Sequence, residues 1–173
     1  MGAAYLELMA VVDPDVGRRT ELGRAVLELT ADGEDRWFVL SLADTDLDAT
    51  ARRLGLEVED GSRVRTDGSV VRWRAVGVED EERAGWLPFF IEWQVPDELH
   101  PGRTPVDHPI PPEGIGRVEF GGDPRQLGAW LGDGGDELGI DVVDGGPGLR
   151  AIAVALADGS ELTLRPAPAR DPR

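Results

Sequence analysis

The sequence predicts an α+β fold: two tandem strand-helix-strand-strand-strand (βαβββ) modules behind an extra amino-terminal strand. Three observations predict it. Short runs rich in Val, Leu, Ile and aromatic residues are bounded by Gly, Pro and Asp, which marks strands. A few stretches carry helical spacing instead. And one phrase recurs: Leu54-Gly55-Leu56-Glu57-Val58-Glu59-Asp60-Gly61 returns 84 positions later as Leu138-Gly139-Ile140-Asp141-Val142-Val143-Asp144-Gly145. A strand and an Asp-capped helix precede each copy and two strands follow it, so one unit is used twice. Side by side, the units are expected to bury each other's open edges and leave a concave inner face.

The elements follow in order. Tyr5 to Val12 reads as a strand that stops at Asp13-Pro14. Thr20 to Thr30 has Leu22, Val26, Leu27 and Leu29 at helical spacing. Trp37 to Leu42 is the next strand. Asp44-Thr45-Asp46 then caps a helix, because a short oxygen side chain accepts from the free amides of the first turn. Leu47, Thr50, Ala51 and Leu54 share one face of that helix and Gly55 ends it. Leu56 to Glu59 is a short strand, Val70 to Val76 a longer one, Glu79 to Arg83 a charged loop and Leu87 to Val95 an apolar strand. Pro96 to Pro112 is proline-rich and reads as a linker. In the second unit Gly114 to Phe120 is a strand and Asp123 to Leu131 a helix. Ile140 to Val143, Leu149 to Leu156 and Ser160 to Leu164 are the remaining strands, and a proline- and arginine-rich tail follows.

Composition narrows the function. The chain has 173 residues, enough for a core without staples, and no cysteine, so disulfides, thiolate zinc sites and cysteine nucleophiles are excluded. All 18 basic residues are arginine, which excludes lysine Schiff bases and a P-loop lysine. The net charge of −16 repels phosphate backbones and anionic bilayers, so neither nucleic acid nor membrane is an expected partner. No apolar run reaches the ~18 residues of a membrane span and no basic amino-terminal region marks a signal peptide; a cytoplasmic protein is expected. The wealth of Gly, Ala, Pro, Asp and Arg suits a GC-rich bacterial genome.

The order of several segments resembles the vicinal oxygen chelate superfamily, and in wording its bacterial glyoxalase-like domain proteins. The segments are Tyr5-Leu6-Glu7-Leu8, Asp44-Thr45-Asp46-Leu47-Asp48-Ala49, Gly61-Ser62-Arg63, Asp67-Gly68, Val71-Arg72-Trp73-Arg74, Leu87-Pro88-Phe89-Phe90-Ile91-Glu92-Trp93 and His100-Pro101-Gly102. The resemblance runs from residue 4 to about residue 164. It implies residues 1–35 as the remnant of a preceding module, 36–96 and 114–165 as βαβββ modules, 97–113 as a linker and 166–173 as a tail. It also implies that most of a first module is missing, leaving the Tyr5–Val12 strand in need of an edge, as in a homodimer. Metal-dependent members take a histidine from the first strand of a module and a glutamate from the last. Trp37–Leu42 and Gly114–Phe120 hold no histidine. The resemblance therefore assigns no metal site here, although a divalent metal is the cofactor that its enzymes use.

Several residues could carry chemistry. Glu7 and Glu92 stand in apolar strands, and an unpaired buried carboxylate costs several kcal/mol, roughly, so each needs a partner, water or a ligand. The resemblance makes them the carboxylates to consider for catalysis; pairing with Arg72 or Arg74 is the structural alternative. Arg72 and Arg74 share one strand face, with Trp73 on the other; two guanidinium groups could clamp an anionic ligand or simply be solvated. Phe90 and Trp93 could wall a cavity, and His100 and His108 are loop histidines without helical metal spacing. The serines lack a nucleophile elbow, and the Gly-Asp stretches after Leu131 and Val143 match neither a phosphate nor a calcium loop. Two readings stay open: a binder that holds a small, anionic organic molecule in a cup between the modules through Arg72, Arg74, Phe90, Trp93 and His100, or a metal-dependent lyase, isomerase or dioxygenase.

Overall fold

The structure, a computed structural model, describes residues 4–78, 86–103, 106–132 and 139–166. The charged loop at 79–83, the second Leu-Gly phrase at Leu138, the Gly-Asp stretch after Gly132 and the last seven residues, 167–173, lie outside the described residues.

Two helices open the chain. Helix α1 (Pro14–Gly17) starts at Asp13, whose carboxylate accepts from the amides of Asp15 and Val16. Helix α2 (Glu21–Leu29) starts at Thr20, whose hydroxyl accepts from Gly23 N. The two backbones touch: a Cβ on Gly23 would sit 2.3 Å from the Gly17 carbonyl oxygen.

The first module contains β1 (Ser41–Ala43), α3 (Leu47–Leu54), β2 (Val58–Val64), β3 (Val70–Val76) and β4 (Phe89–Trp93). Asp46 caps α3 by accepting from Ala49 N. Gly55 closes the helix in the left-handed region at φ 71°, where a Cβ would be strained. The second module contains β5 (Pro112–Gly121), α4 (Pro124–Leu131), β6 (Ile140–Val143), β7 (Gly148–Leu156) and β8 (Glu161–Leu164). The α+β class and two βαβββ runs are thus present, each with a four-stranded sheet.

The expected extra strand at Tyr5–Val12 does not form. No ladder includes these residues: Met9 and Val11 line a groove against α2, while Leu6, Leu8 and Val12 are left exposed. Trp37–Leu42 shrinks to Ser41–Ala43, and the strand after α3 begins two residues late, at Val58, and runs on to Val64. The linker is not structureless: Asp97–Leu99 and Pro101–Arg103 form 3₁₀ turns, and Pro112 already belongs to β5.

The two sheets are wired differently. The first has the order β1-β4-β3-β2 and the second β6-β5-β7-β8. In the first, the opening strand β1 pairs in parallel with the closing strand β4. In the second, the opening strand β5 pairs in parallel with β6, directly after the helix, and antiparallel with β7. The repeated phrase therefore builds an outer strand antiparallel to its neighbour in one module and an outer strand parallel to its neighbour in the other. Composition accounts for the difference. Phe89-Phe90-Ile91-Glu92-Trp93 is apolar on both faces and takes an inner position, whereas Glu161-Leu162-Thr163-Leu164 alternates and stays at an edge.

Two apolar clusters lie between sheets and helices. Leu47, Ala51, Val76 and Phe90 form one; Leu87, Val118, Phe120 and Leu127 form the other. Trp130 and Leu131 of α4 pack against both and join them. Trp130 Nε1 donates to the Pro88 carbonyl at 2.7 Å, and its indole stacks on Phe90 at 6.4 Å. Arg53 at the end of α3 donates to the carbonyls of Ala129, Trp130 and Leu131, which the end of α4 leaves without helical partners.

Both sheets are also buried on the face away from the helices: Val71, Ala75 and Ile91 in one, Ala151 and Ala153 in the other. The middle of the expected concave face is therefore covered from solvent rather than open. Among the described residues no helix is long and apolar enough to cross a membrane.

Candidate functional site: an aromatic corner on the helix-free face

Strand alternation divides the predicted site residues between two faces. Arg74 and Glu92 are cross-strand neighbours in the β3–β4 ladder and point to the α3 side, as do Arg72 and Phe90. Phe90 is buried in the core beneath Trp130 and Arg72 is exposed. Arg74 donates to Asp48 of α3 at 2.5 Å and to Glu92 at 3.1 Å. The hydrogen bond from Arg74 holds the Asp48 carboxyl below its ordinary value, and the same bond raises Arg74. Glu92 is thus the carboxylate of a structural ion-pair chain that ties α3 to β3 and β4.

The other face gathers rings. Trp73 of β3 lies opposite Trp93 of β4, with centroids 5.5 Å apart and planes tilted by 60°. His100, held between the two 3₁₀ turns, meets Trp93 edge-on at 5.7 Å. Its Nδ1 accepts from Gly102 N at 3.1 Å, so the neutral ring carries its proton on Nε2 and can donate there. Gly61 of β2 lies opposite Trp73, and a Cβ there would sit 2.2 Å from the indole. Only glycine lets that ring lie across β2. The same face continues to Arg63, two residues on, whose guanidinium meets Glu7 at 3.5 Å. Tyr5 stands beside this pair; burial raises its phenol above the ordinary value, with Glu7 adding to the effect and Arg63 opposing it.

The structure therefore brings together Trp93, His100 and, by way of Arg63, Glu7. It sets Arg72, Arg74, Phe90 and Glu92 on the opposite face. His108 is exposed in the segment before β5. Sequence reasoning missed Trp73, Gly61 and Arg63 as members of the site. The signal was present: a glycine in mid-strand marks a close approach by a neighbouring group. A further cluster escaped notice, in which Glu119 of β5, only 12% exposed, receives Arg117 at 2.9 Å and Arg165 at 2.9 Å. These groups satisfy one another.

The donors do not suit a metal. Glu7 is paired with Arg63, Glu92 with Arg74, the two lie on opposite faces, and His100 has one nitrogen engaged. Among the described residues no three His, Cys, Asp or Glu side chains are grouped as ligands.

Paired βαβββ runs, each a sheet backed by one helix, define the class of protein to which this molecule belongs. A family model described as a glyoxalase-like domain matches residues 1–133 of the 173, from the amino-terminal segment past α4. The chain belongs to the glyoxalase-like domain family. No curated protein and no solved structure matches it.

Proposed function

We propose that the chain binds a small organic molecule with a flat or apolar body and an anionic group, held at the Trp73–Trp93–His100 corner. One observation carries the reading: two indoles and an imidazole meet on the helix-free face, within the same strand set as Arg63. A ring stacked on indole gains about 0.5–1.5 kcal/mol beyond its area burial. Arg63 offers a guanidinium fork to a carboxylate, and His100 Nε2 offers a second donor. Glu7 already occupies part of the fork at 3.5 Å, so an incoming anion competes with it. This replaces Arg72 and Arg74 as the anion clamp, since both face α3. No catalytic step is assigned: Glu92 is engaged with Arg74 away from the rings.

Titration with a panel of aromatic and aliphatic carboxylates, followed by tryptophan fluorescence and by melting temperature, tests the proposal. Binding is expected for the aromatic members, weakened tenfold or more in Trp93→Ala and in Arg63→Ala, and unchanged in Arg72→Ala. Equal loss in Arg72→Ala, or no response to any aromatic carboxylate, rejects it.

A further inference from the structure

The end of α2 leaves a hollow that shares no residue with the aromatic corner. Ala25, Glu28, Leu29 and Asp32 stand at i, i+3, i+4 and i+7, which sets them along one stripe of α2 and the turn beyond it. Arg36, Phe38 and Val39 supply the other wall. The space between them is about 620 Å³, and sites for small organic molecules span roughly 300–1,000 Å³. Two features keep it open. The helical wall is thin, because Ala25 and Ala31 carry a single methyl each. The segment 36–39 is fastened on its other side. Trp37 Nε1 donates to the Arg150 carbonyl at 3.3 Å, and Leu40 packs against the second apolar cluster while its carbonyl accepts from Phe89 N at 3.1 Å.

The charges of the groove are unbalanced. Arg36 is the single cation among the lining residues, and it is already held by Asp32 and by Glu34, the latter at 3.0 Å. Glu28 makes no side-chain hydrogen bond or ion pair among the described residues. Three carboxylates thus stand against one guanidinium. The last turn of α2 has no basic residue, although the carboxyl-terminal end of a helix favours a cation. The net charge of −16 raises the local concentration of cations further. Phe38 is half-buried in the wall and adds a ring, whose face attracts an ammonium group. An incoming anion would meet a guanidinium that is already neutralised.

We propose that this groove binds a small organic cation, a primary or quaternary amine on a short apolar body. The ammonium group pairs with Glu28 at the end of α2. The body lies between Ala25 and Leu29 on one side and Phe38 and Val39 on the other. The site takes the opposite charge from the molecule assigned to the Trp73–Trp93–His100 corner, so the two ligands do not compete.

Titration of the full chain with phenethylammonium, phenethyl alcohol and phenylacetate, followed by methyl NMR, tests this. Saturating shifts at the methyl groups of Ala25, Leu29, Ala31 and Val39 are expected with the ammonium compound. The alcohol and the carboxylate share its shape and are expected to move these signals with affinities lower by about fivefold or more. Added salt is expected to weaken the ammonium compound and to leave the alcohol unaffected. Glu28→Lys reverses an exposed charge and is expected to weaken the ammonium compound about fivefold or more. Ala25→Leu fills the groove without changing its charge and is expected to abolish the shifts. Both variants keep good helix formers in α2, so an unchanged melting temperature confirms that the fold is intact. Trp93→Ala is expected to leave this binding unchanged, which separates the groove from the corner. Equal binding of the alcohol, tighter binding of phenylacetate at these methyl groups, or no saturable shift with the ammonium compound overturns the proposal. So does a response indifferent to both Glu28→Lys and Ala25→Leu.

Discussion

Gly61 shows how one missing methyl can shape a surface. A Cβ there would stand 2.2 Å from the Trp73 indole, so alanine must displace the ring or bend β2. Overpacking of this kind costs about 1–3 kcal/mol. Gly61→Ala is expected to lower stability by that amount in urea titration and to change the tryptophan emission. Gly116→Ala is the control, because the nearest atoms to its Cβ lie 3.9 Å away. A second residue-scale expectation concerns acid. Asp48 is depressed by Arg74, and hydrogen bonds donated by Ser69 and Ser160 depress Asp67 and Asp158 in their turns. A depressed carboxyl binds fewer protons folded than unfolded. Its contribution is therefore complete above the ordinary carboxylate pKa and is lost as pH falls through the lower, folded value. Stability is expected to decline with acid across that window, with a shallower slope in Asp48→Asn, as read from urea midpoints at successive pH values. Tyr5 works in the opposite sense. Its raised phenol gives a contribution that is intact below the ordinary tyrosine value and lost as pH rises through the folded one.

At the scale of elements, the end signals were legible because they act locally. Asp46, Leu47 and Gly55 define α3 from three positions: an oxygen for the first turn, an apolar anchor, and a left-handed stop. Asp123 before Pro124 does the same for the start of α4, and Thr20 for α2. Asp46→Ala removes the side-chain acceptor from Ala49 N and is expected to cost about 1 kcal/mol, measured by thermal or chemical unfolding. Strand β3 was legible to the residue, Val70 to Val76, because its turn precedes it directly. Strand pairing was not legible. Whether a strand after a helix lies beside its predecessor or across the sheet depends on which strands are apolar on both faces, and a local phrase does not carry that information. The repeat of Leu-Gly-x-x-Val marked element order and missed the pairing order. The Tyr5–Val12 phrase failed for a related reason: β propensity describes a fit to a pleated neighbour, and α2 supplies a neighbour of another kind. For the site, Trp93 and His100 were legible as rings near a strand end. Their company was not, since it rests on a glycine in the adjacent strand and on the register that sets Trp73 opposite Trp93.

The molecule as a whole is held at α4. Trp130 touches both apolar clusters, stacks on Phe90 and donates to Pro88, so one side chain couples the halves by packing and by a directed bond. Gly77 makes the space: its φ of 82° excludes a side chain on strain alone, and a Cβ there would stand 3.0 Å from the Trp130 ring. Arg53 fastens the same region from the other side, bonding the α4 carbonyls and lying 6.0 Å over the Phe90 ring. Two clusters that share a residue lose it together, so a single cooperative unfolding transition is expected for the intact chain. Trp130→Ala opens a cavity at the junction and leaves the Pro88 carbonyl without its donor, a loss of about 3–5 kcal/mol on the scale of large-to-small core changes. Trp130→Phe keeps much of the packing and removes the donor alone, for which about 1–3 kcal/mol is expected. Arg53→Ala removes bonds that the second module draws from the first without opening a cavity. If the junction is what makes the halves unfold as one, Trp130→Ala should broaden or split the transition when near- and far-ultraviolet signals are followed together, while Trp130→Phe should shift it intact. Coincident, unbroadened curves in Trp130→Ala would place the coupling elsewhere, in the packing of Leu40 and Leu87 in the second cluster.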